Sequence, residues 1–235
     1  MFTETAAFYD AIYAARGKDY VREADAVVAH LRRVRPDAAS LLDVGCGTGA
    51  HLARFQENNL ACRGIDKDVK MVALARARCP EIEIEPGDML DFVLPERFDA
   101  VTCLFGAAAY ARTPDRLGRA IANMSQHLGE RGVLFVEPFI EPDAFEVGNL
   151  HSIFVDEPDL KIARMNVSKR VGPIAIIDFH YLIATKRSGV ERRFERHELG
   201  LFSENDYRGA FRAAGLSVEA LDEPAFPHGL YLGSK

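Results

Sequence analysis

The chain has 235 residues, 48% of them hydrophobic, with 29 Lys and Arg against 35 Asp and Glu and a formal charge of −6. That apolar content suffices for a packed core and excludes a disordered chain, and the acidic balance is the reverse of what nucleic-acid binders show. No apolar run approaches the roughly 18 residues of a membrane span, and the segment from Met1 to Tyr20 lacks the basic and apolar regions of a secretory signal.

The four cysteines, Cys46, Cys62, Cys79 and Cys103, form no CxxC pair, so reduced thiols in a cytoplasmic protein, without a metal, are expected. The length fits one compact domain carrying an insertion.

Strand and helix alternate through the first half. A helix is predicted from Tyr20 to Arg33, with Val21, Ala24, Val27, Val28 and Leu31 on one face, and Pro36 closes it. A short buried strand, Ser40 to Val44, ends in Gly45-Cys46-Gly47-Thr48-Gly49 before a helix with Leu52 and Phe55. A second strand ends at Gly64-Ile65-Asp66. The helix after it carries Met71, Val72 and Leu74, and Ile82 to Ile84 forms a third strand that runs into Gly87-Asp88-Met89. Phe98 to Leu104 is a fourth strand. Thr113 caps a helix with Pro114 in its first turn, Gly129 stops it, and Val133 to Val136 is a fifth strand. This order predicts a parallel sheet with right-handed crossovers.

The second half changes character. Three alternating segments, Lys161 to Val171, Ile174 to Thr185 and Val190 to Leu201, are separated by Gly172-Pro173 and Ser188-Gly189 and read as antiparallel strands. Ser203 caps a helix through Ala214, and Leu216 to Leu221 and Gly229 to Gly233 are two final strands. The fold class is therefore α/β: a Rossmann-like sheet interrupted after its fifth strand by a three-stranded antiparallel layer. The core is expected over 1–137 and 202–235, with the insertion over 138–201.

Glycines at the end of a first strand allow backbone to approach a ligand at a helix N-terminus. Here the spacing is Gly45-x-Gly47-x-Gly49, with Asp43 just before it and no Gly-Lys-Ser/Thr ending of a P-loop. Asp66, followed by Lys67, stands where a carboxylate can accept both hydroxyls of a ribose. Asp88 stands where one can reach an adenine amino group, with Met89 stacking nearby. Any one of these aspartates could be a cap or turn residue. Together they line one crevice.

The run Leu42-Asp43-Val44-Gly45-Cys46-Gly47-Thr48-Gly49 and the acidic strand ends resemble the class I S-adenosylmethionine-dependent methyltransferases over Leu41 to Val136 and the last two strands. The resemblance implies a seven-stranded sheet with an antiparallel last strand. It also implies that Gly45 and Gly47 flank the methionine part of the cofactor, that Asp66 holds its ribose and Asp88 and Met89 its adenine, and that Leu104 borders it. The cofactor would be S-adenosyl-L-methionine, leaving as S-adenosyl-L-homocysteine.

Over nearly the whole chain, Phe8-Tyr9-Asp10, Gly17-Lys18-Asp19-Tyr20, Asp99 to Cys103, Val136-Glu137-Pro138, Leu201-Phe202 and the closing Gly229-Leu230-Tyr231-Leu232-Gly233 are similar to the N,N-dimethyltransferases that finish desosamine and mycaminose. Those act on thymidine-diphosphate-linked 3-amino sugars. By that resemblance Tyr9 lines the cofactor and Tyr20 faces the substrate. Three positions depart from the family pattern. Tyr110 stands for a histidine in the loop after the fourth strand, His228 for an arginine before the closing Gly-Leu-Phe, and Met1 or Phe2 for a tyrosine near the start.

From Gly132 to Leu160 there is no Lys or Arg but there are Glu137, Glu141, Asp143, Glu146, Asp156, Glu157 and Asp159. A solvated loop explains this composition. Family position, however, puts the stretch over the substrate, where Glu141, Asp143 and Glu146 would hold a polyamine sugar such as an aminoglycoside and repel a diphosphate. Two acceptors therefore follow: a free aminoglycoside and a nucleotide-linked amino sugar.

Methyl transfer to an amine is an in-line displacement in which positioning supplies much of the rate. The amine must first lose a proton, for which Tyr110, His228, Glu137 and His180 are candidates. His180 shares a strand face with Asp178, whereas His151 and His197 carry no signal of their own. An O-methyltransferase of sugars or small natural products would show the same motifs. A non-catalytic cofactor-binding subunit is the alternative of another class. A nucleic-acid base methyltransferase is disfavoured, since Leu104-Phe105-Gly106-Ala107 lacks the Asn/Asp-Pro-Pro-aromatic motif. Expected partners are a small amino-sugar substrate, neither nucleic acid nor membrane, and a second copy of the chain if the antiparallel layer forms a homodimer.

Overall fold

The computed structural model describes residues 3–235. Two helices, α1 (Tyr9–Ala15) and α2 (Tyr20–Val34), precede β1 (Ser40–Val44), α3 (Ala50–Glu57), β2 (Ala61–Asp66), α4 (Val69–Arg78), β3 (Glu83–Pro86), β4 (Phe98–Cys103), α5 (Pro114–Gln126) and β5 (Leu128–Val136). Four long strands follow: β6 (Leu150–Glu157), β7 (Leu160–Val171), β8 (Ile174–Thr185) and β9 (Gly189–Gly200). The chain ends with α6 (Glu204–Ala213), β10 (Ser217–Leu221) and β11 (Leu230–Ser234).

The first sheet has the order β10-β11-β5-β4-β1-β2-β3. β1 pairs in parallel with β2 on one side and β4 on the other, and β11 runs antiparallel to both β5 and β10. Strands buried on both faces carry apolar residues on both, which is why Leu41 and Leu42 are adjacent. Leu42, Val44, Leu134 and Val136 pack with α5 and α6 through Leu117, Ile121, Met124, Tyr207 and Phe211. Leu41, Ala100, Val133 and Phe135 face α2 through Ala24, Val27 and Leu31. Caps set the helix starts, at Thr113 and Ser203 as the sequence predicts and at Asp19 besides. Asp19, Thr113 and Ser203 accept backbone hydrogen bonds from Arg22, Arg116 and Asp206, and Ser203 and Asp206 complete a capping box.

Two elements depart from expectation. β5 begins at Leu128 rather than Val133, because Leu128 pairs with Phe98 ahead of a register shift and a positive φ of 58° at Arg131. The inserted layer has four strands, not three. The fourth, β6, is an edge strand that leaves Leu150 and Phe154 in solvent, so its apolar residues do not alternate toward a core. The inner face of this sheet packs Val155, Ile162, Phe179, Tyr181 and Ile183 on Ile12 of α1. Ala175 and Leu199 pack on Ala109 of the turn after β4. The insertion thus sits over the carboxyl ends of the parallel strands.

Close packing at the last strand yields a stability test. A Cβ built on Gly233 would lie 2.4 Å from the ring of the fully buried Phe211. Gly233→Ala is expected to lower unfolding stability by about 1–3 kcal/mol, read as a reduced urea midpoint with an unchanged slope.

Candidate active site

The cleft opens where the sheet order reverses between β1 and β4. Its volume is about 890 Å³, in the upper part of the roughly 300–1,000 Å³ range of small-molecule sites. Gly45 and Gly47 line its floor with φ of +77° and +55°; a Cβ on Gly45 would come within 2.9 Å of Ala107 Cβ. Gly47 has no protein atom within 4 Å of where its Cβ would be, so backbone there faces the open cleft.

Asp66 Oδ2 accepts a hydrogen bond from Gly47 N at 2.9 Å and Oδ1 accepts from Asp68 N at 2.8 Å. Burial still pushes the Asp66 carboxyl above its ordinary range. Two ribose hydroxyls would add donors to this buried carboxylate. Asp88 accepts from Lys67 Nζ at 2.6 Å and from Leu90 N at 3.1 Å. Burial opposes its charge, but the Lys67 hydrogen bond prevails and its pKa falls. Met89 and Leu104 line the same space. A cavity with backbone amides, a buried carboxylate and a second acid beyond it fits a nucleoside.

Asp43 and Gly49, both expected at the cofactor, do not line the cleft. Asp43 is buried beneath the loop, where it accepts from Thr102 Oγ1 at 2.7 Å and burial raises its pKa. Gly49 starts α3 at φ +77°, and a Cβ there would touch Ala75 at 3.1 Å. Both support the loop from behind. From above, α1 is clamped onto it. Thr48 Oγ1 donates to Asp10 Oδ1 at 2.7 Å, while Arg78 pairs with Asp10 and donates to the Thr48 carbonyl at 2.8 Å. This clamp sets Tyr9 against the cleft, where burial, reinforced by Tyr13, Tyr20 and Tyr110, pushes its phenol upward.

On the opposite side, Glu137 is buried at the end of β5 and accepts from Phe105 N, holding Phe105 at a φ of 56° in the turn after β4. Burial raises the Glu137 pKa, with Lys18 acting against the rise. Lys18 pairs with Glu23 Oε1 at 2.7 Å and lies 3.6 Å from the centre of the Phe105 ring. His228 lines the cleft, and burial followed by the nearby Arg16 lowers its pKa. Arg22 reaches the same rim by donating to the Pro224 carbonyl at 3.3 Å.

Other expected substrate residues lie elsewhere. Tyr20 turns its ring edge-on to His51 at 5.0 Å and does not line the cleft. Glu141, Asp143 and Glu146 are exposed on the connector after β5, outside the lining that Phe139 and Ile140 supply. Asp156 and Asp159 pair with Lys161 and Lys186 near the β6–β7 turn, so the acidic stretch is spread out and partly neutralised. His180 is on the outer face of β8 against Phe194, while its neighbour Phe179 faces the cleft. The expected positions Met1 and Phe2 lie outside the described residues.

His197 was missed. It is 1% exposed, lines the cleft, and its Nδ1 is 2.6 Å from the Tyr110 hydroxyl. Period two would have found it, since Glu195, His197 and Leu199 are buried while Arg196 points outward.

Comparison with known proteins agrees with this geometry. A model of the methyltransferase domain matches residues 41–132. The chain is 38% identical over 230 residues to dTDP-3-amino-3,6-dideoxy-alpha-D-glucopyranose N,N-dimethyltransferase of Streptomyces fradiae, a match spanning 98% of this chain and 90% of that one. This chain belongs to the amino-sugar N-methyltransferases that depend on S-adenosylmethionine. Within this family it is also 39% identical to dTDP-4-amino-2,3,4,6-tetradeoxy-D-glucose N,N-dimethyltransferase of Saccharopolyspora spinosa, over 96% of this chain and 90% of the relative. The S-adenosylmethionine-bound structure of CalS10, an amino pentose methyltransferase from Micromonospora echinaspora involved in calicheamicin biosynthesis, superposes with a TM-score of 0.88. It is 37% identical, with coverage of 96% of this chain and 95% of that one.

Two substitutions test the cofactor side of this N-methyltransferase. Asp66→Ala is expected to weaken S-adenosylmethionine binding about 10–100-fold by calorimetry, the worth of charge-assisted hydrogen bonds. Asp10→Ala, which releases α1 from the glycine loop, is expected to raise the cofactor off-rate in stopped-flow displacement by roughly tenfold.

Proposed function

We propose that the chain transfers methyl groups from S-adenosylmethionine to the amine of a nucleotide-linked amino sugar in antibiotic biosynthesis, as a cytoplasmic enzyme. The observation that carries the choice of acceptor is the rim where Arg16, Arg22 and His228 meet. Replacement of the family's arginine by His228 argues, by itself, against a diphosphate. In the folded chain Arg16 lines the same cleft as His228, so a guanidinium is present on the side of the altered position. Diphosphate oxygens suit such a rim because guanidinium groups bind them through paired hydrogen bonds. The acids that favoured a free polycationic sugar are outside the cleft lining. The relatives named above, whose substrates are dTDP-linked, support the same reading.

The cleft then divides by chemistry. Gly45, Gly47, Asp66, Asp88 and Met89 would hold the cofactor, which when bound supplies a methyl carbon on a positively charged sulfur. Arg16, Arg22 and His228 would hold the diphosphate. The sugar would lie between them, under Phe179 and Leu199 of the inserted sheet. This side's work is to orient the amine, exclude water and remove a proton so that the nitrogen lone pair is free. Tyr110 is the base proposed here. Glu137 is engaged with Phe105 N, and His228 belongs to the rim. The four cysteines are unpaired, which supports the cytoplasmic assignment. Exposed Leu150, Phe154, Met165, Leu182 and Phe194 share the outer face of the inserted sheet and support a homodimer.

Acceptor class is tested by mass spectrometry of thymidine-diphosphate amino sugars, free aminoglycosides and the corresponding alcohols with S-adenosylmethionine. A mass gain is expected on the nucleotide-linked amines; gain only on free aminoglycosides or only on alcohols would overturn the proposal. Arg16→Ala is expected to raise KM for the nucleotide-linked acceptor about tenfold or more, a charge-assisted hydrogen bond being worth about 1.5–3 kcal/mol.

A further inference from the structure

Tyr110 does not stand alone. Tyr110 lines the cleft, its hydroxyl is 2.6 Å from Nδ1 of His197, and Nε2 of that ring faces Glu195 Oε2 at 3.9 Å, an ion-pair distance longer than a hydrogen bond. The three residues come from two elements, the turn after β4 and strand β9, and Glu195 and His197 both sit on the buried face of β9. Glu195 is fixed in turn by the start of the chain: Glu4 N donates to its Oε1 at 2.7 Å, and Thr5 Oγ1 donates to its Oε2 at 2.6 Å.

We propose that Tyr110, His197 and Glu195 form a proton relay that deprotonates the acceptor amine. The inference rests on the amino-sugar reading above. Tyr110 would touch the acceptor and act as the catalytic base; His197 and Glu195 act through it as positioning residues. With the Nε2 hydrogen directed at the Glu195 carboxylate, Nδ1 carries a lone pair and accepts the Tyr110 hydroxyl hydrogen.

The steps balance. An N–H bond of the acceptor ammonium breaks and its proton passes to the Tyr110 oxygen, as the Tyr110 hydroxyl proton passes to His197 Nδ1. The amine is left neutral, Tyr110 is again a phenol, and His197 becomes an imidazolium facing the Glu195 carboxylate. The proton is later lost to solvent, one for each methyl transferred.

The surroundings suit each role. Burial lowers the His197 pKa, so the ring is neutral and ready to accept. Burial works against the charge of Glu195 too, but the neighbouring His197 and the hydrogen bonds from Thr5 and Glu4 N prevail and hold its pKa low, so it stays anionic opposite the imidazolium. Burial pushes the Tyr110 phenol up, so it conducts a proton rather than resting as a phenolate. The other groups acting on this set among the described residues are Arg164 from β7, Tyr181 from β8, Tyr13 from α1 and Asp66 from β2. Arg164 opposes charge on His197, and Glu195 favours it. The relay also accounts for the departure at Tyr110. The phenol extends the reach of a histidine set on the inserted sheet, behind the position where the family pattern has its own.

The test compares wild type with Tyr110→Phe, His197→Gln and the double variant, on a thymidine-diphosphate amino sugar across pH. Wild-type turnover near pH 9, where the amine is largely neutral without help, tests the substrate reading separately; its absence on every amine overturns that reading. Each single variant is expected to lose about 100-fold in kcat at about pH 6.5, within the range of general-base contributions, and about tenfold or less near pH 9. The double variant should lose no more than either single one, because the residues act as a unit. Calorimetry of S-adenosylmethionine binding controls for folding. A loss independent of pH, or losses that multiply in the double variant, would overturn the relay. Independently of turnover, imidazole ¹⁵N NMR should show His197 neutral with its hydrogen on Nε2; a hydrogen on Nδ1 would equally overturn it.

Discussion

The cleft follows from the parallel pairing of β1 with β2 on one edge and β4 on the other. A chain that runs from β1 outward through β2 and β3 and then returns to the other side of β1 must separate its crossovers. They leave β1 and β4 in opposite directions, and a crevice opens above the strand ends. The polar residues at the strand ends are placed by that opening. Gly45 to Gly49 turn off β1, Asp66 and Asp88 stand after β2 and β3, and the turn carrying Phe105 and Tyr110 follows β4. The acids are adjacent because their strands are neighbours.

Burial sets the chemistry of this crevice. Carboxylates drawn out of water need donors, and the structure distributes them unequally. Asp88 has Lys67 and a backbone amide and its pKa falls, whereas Asp43 with Thr102, Glu137 with Phe105 N and Asp66 with backbone amides are all raised by burial. Of these raised acids, Asp66 lies where a ribose would add donors. Glu137 also holds a backbone angle that a phenylalanine rarely adopts, so the turn after β4 is bound to the end of β5.

The inserted sheet closes the crevice from the far side. Its inner face is apolar where it meets α1, through Phe179, Tyr181 and Ile183, and meets the cleft through Ile177, Phe179 and Leu199 together with His197, with Glu195 buried beside His197. Glu195 ties the start of the chain to β9, while Asp10, Thr48 and Arg78 tie α1 to the glycine loop. The N-terminal segment therefore couples the cover to the cofactor floor, and both sides of the site share one set of restraints.

Much of this was legible in the sequence. Continuous apolar strands, helix caps and the glycine run are local features, and the parallel sheet, the three long antiparallel strands and the floor residues Gly45, Gly47, Asp66, Asp88 and Met89 follow from them. Where side-chain direction decides, the sequence was silent or misleading. β6 was hidden because an edge strand can leave Leu150 and Phe154 in water. Glu141, Asp143 and Glu146 are near Phe139 and Ile140 along the chain, yet only the latter two face the cleft. Arg16 and His228 are remote in sequence, as are Tyr110 and His197, and no local pattern could join them. The sequence by itself determined the fold and the glycine and acid positions at the strand ends, because periodicity and turn chemistry act over a few residues. Only the tertiary structure decided which residues face each other on the far side of the cleft, because those contacts are made between elements that meet after folding.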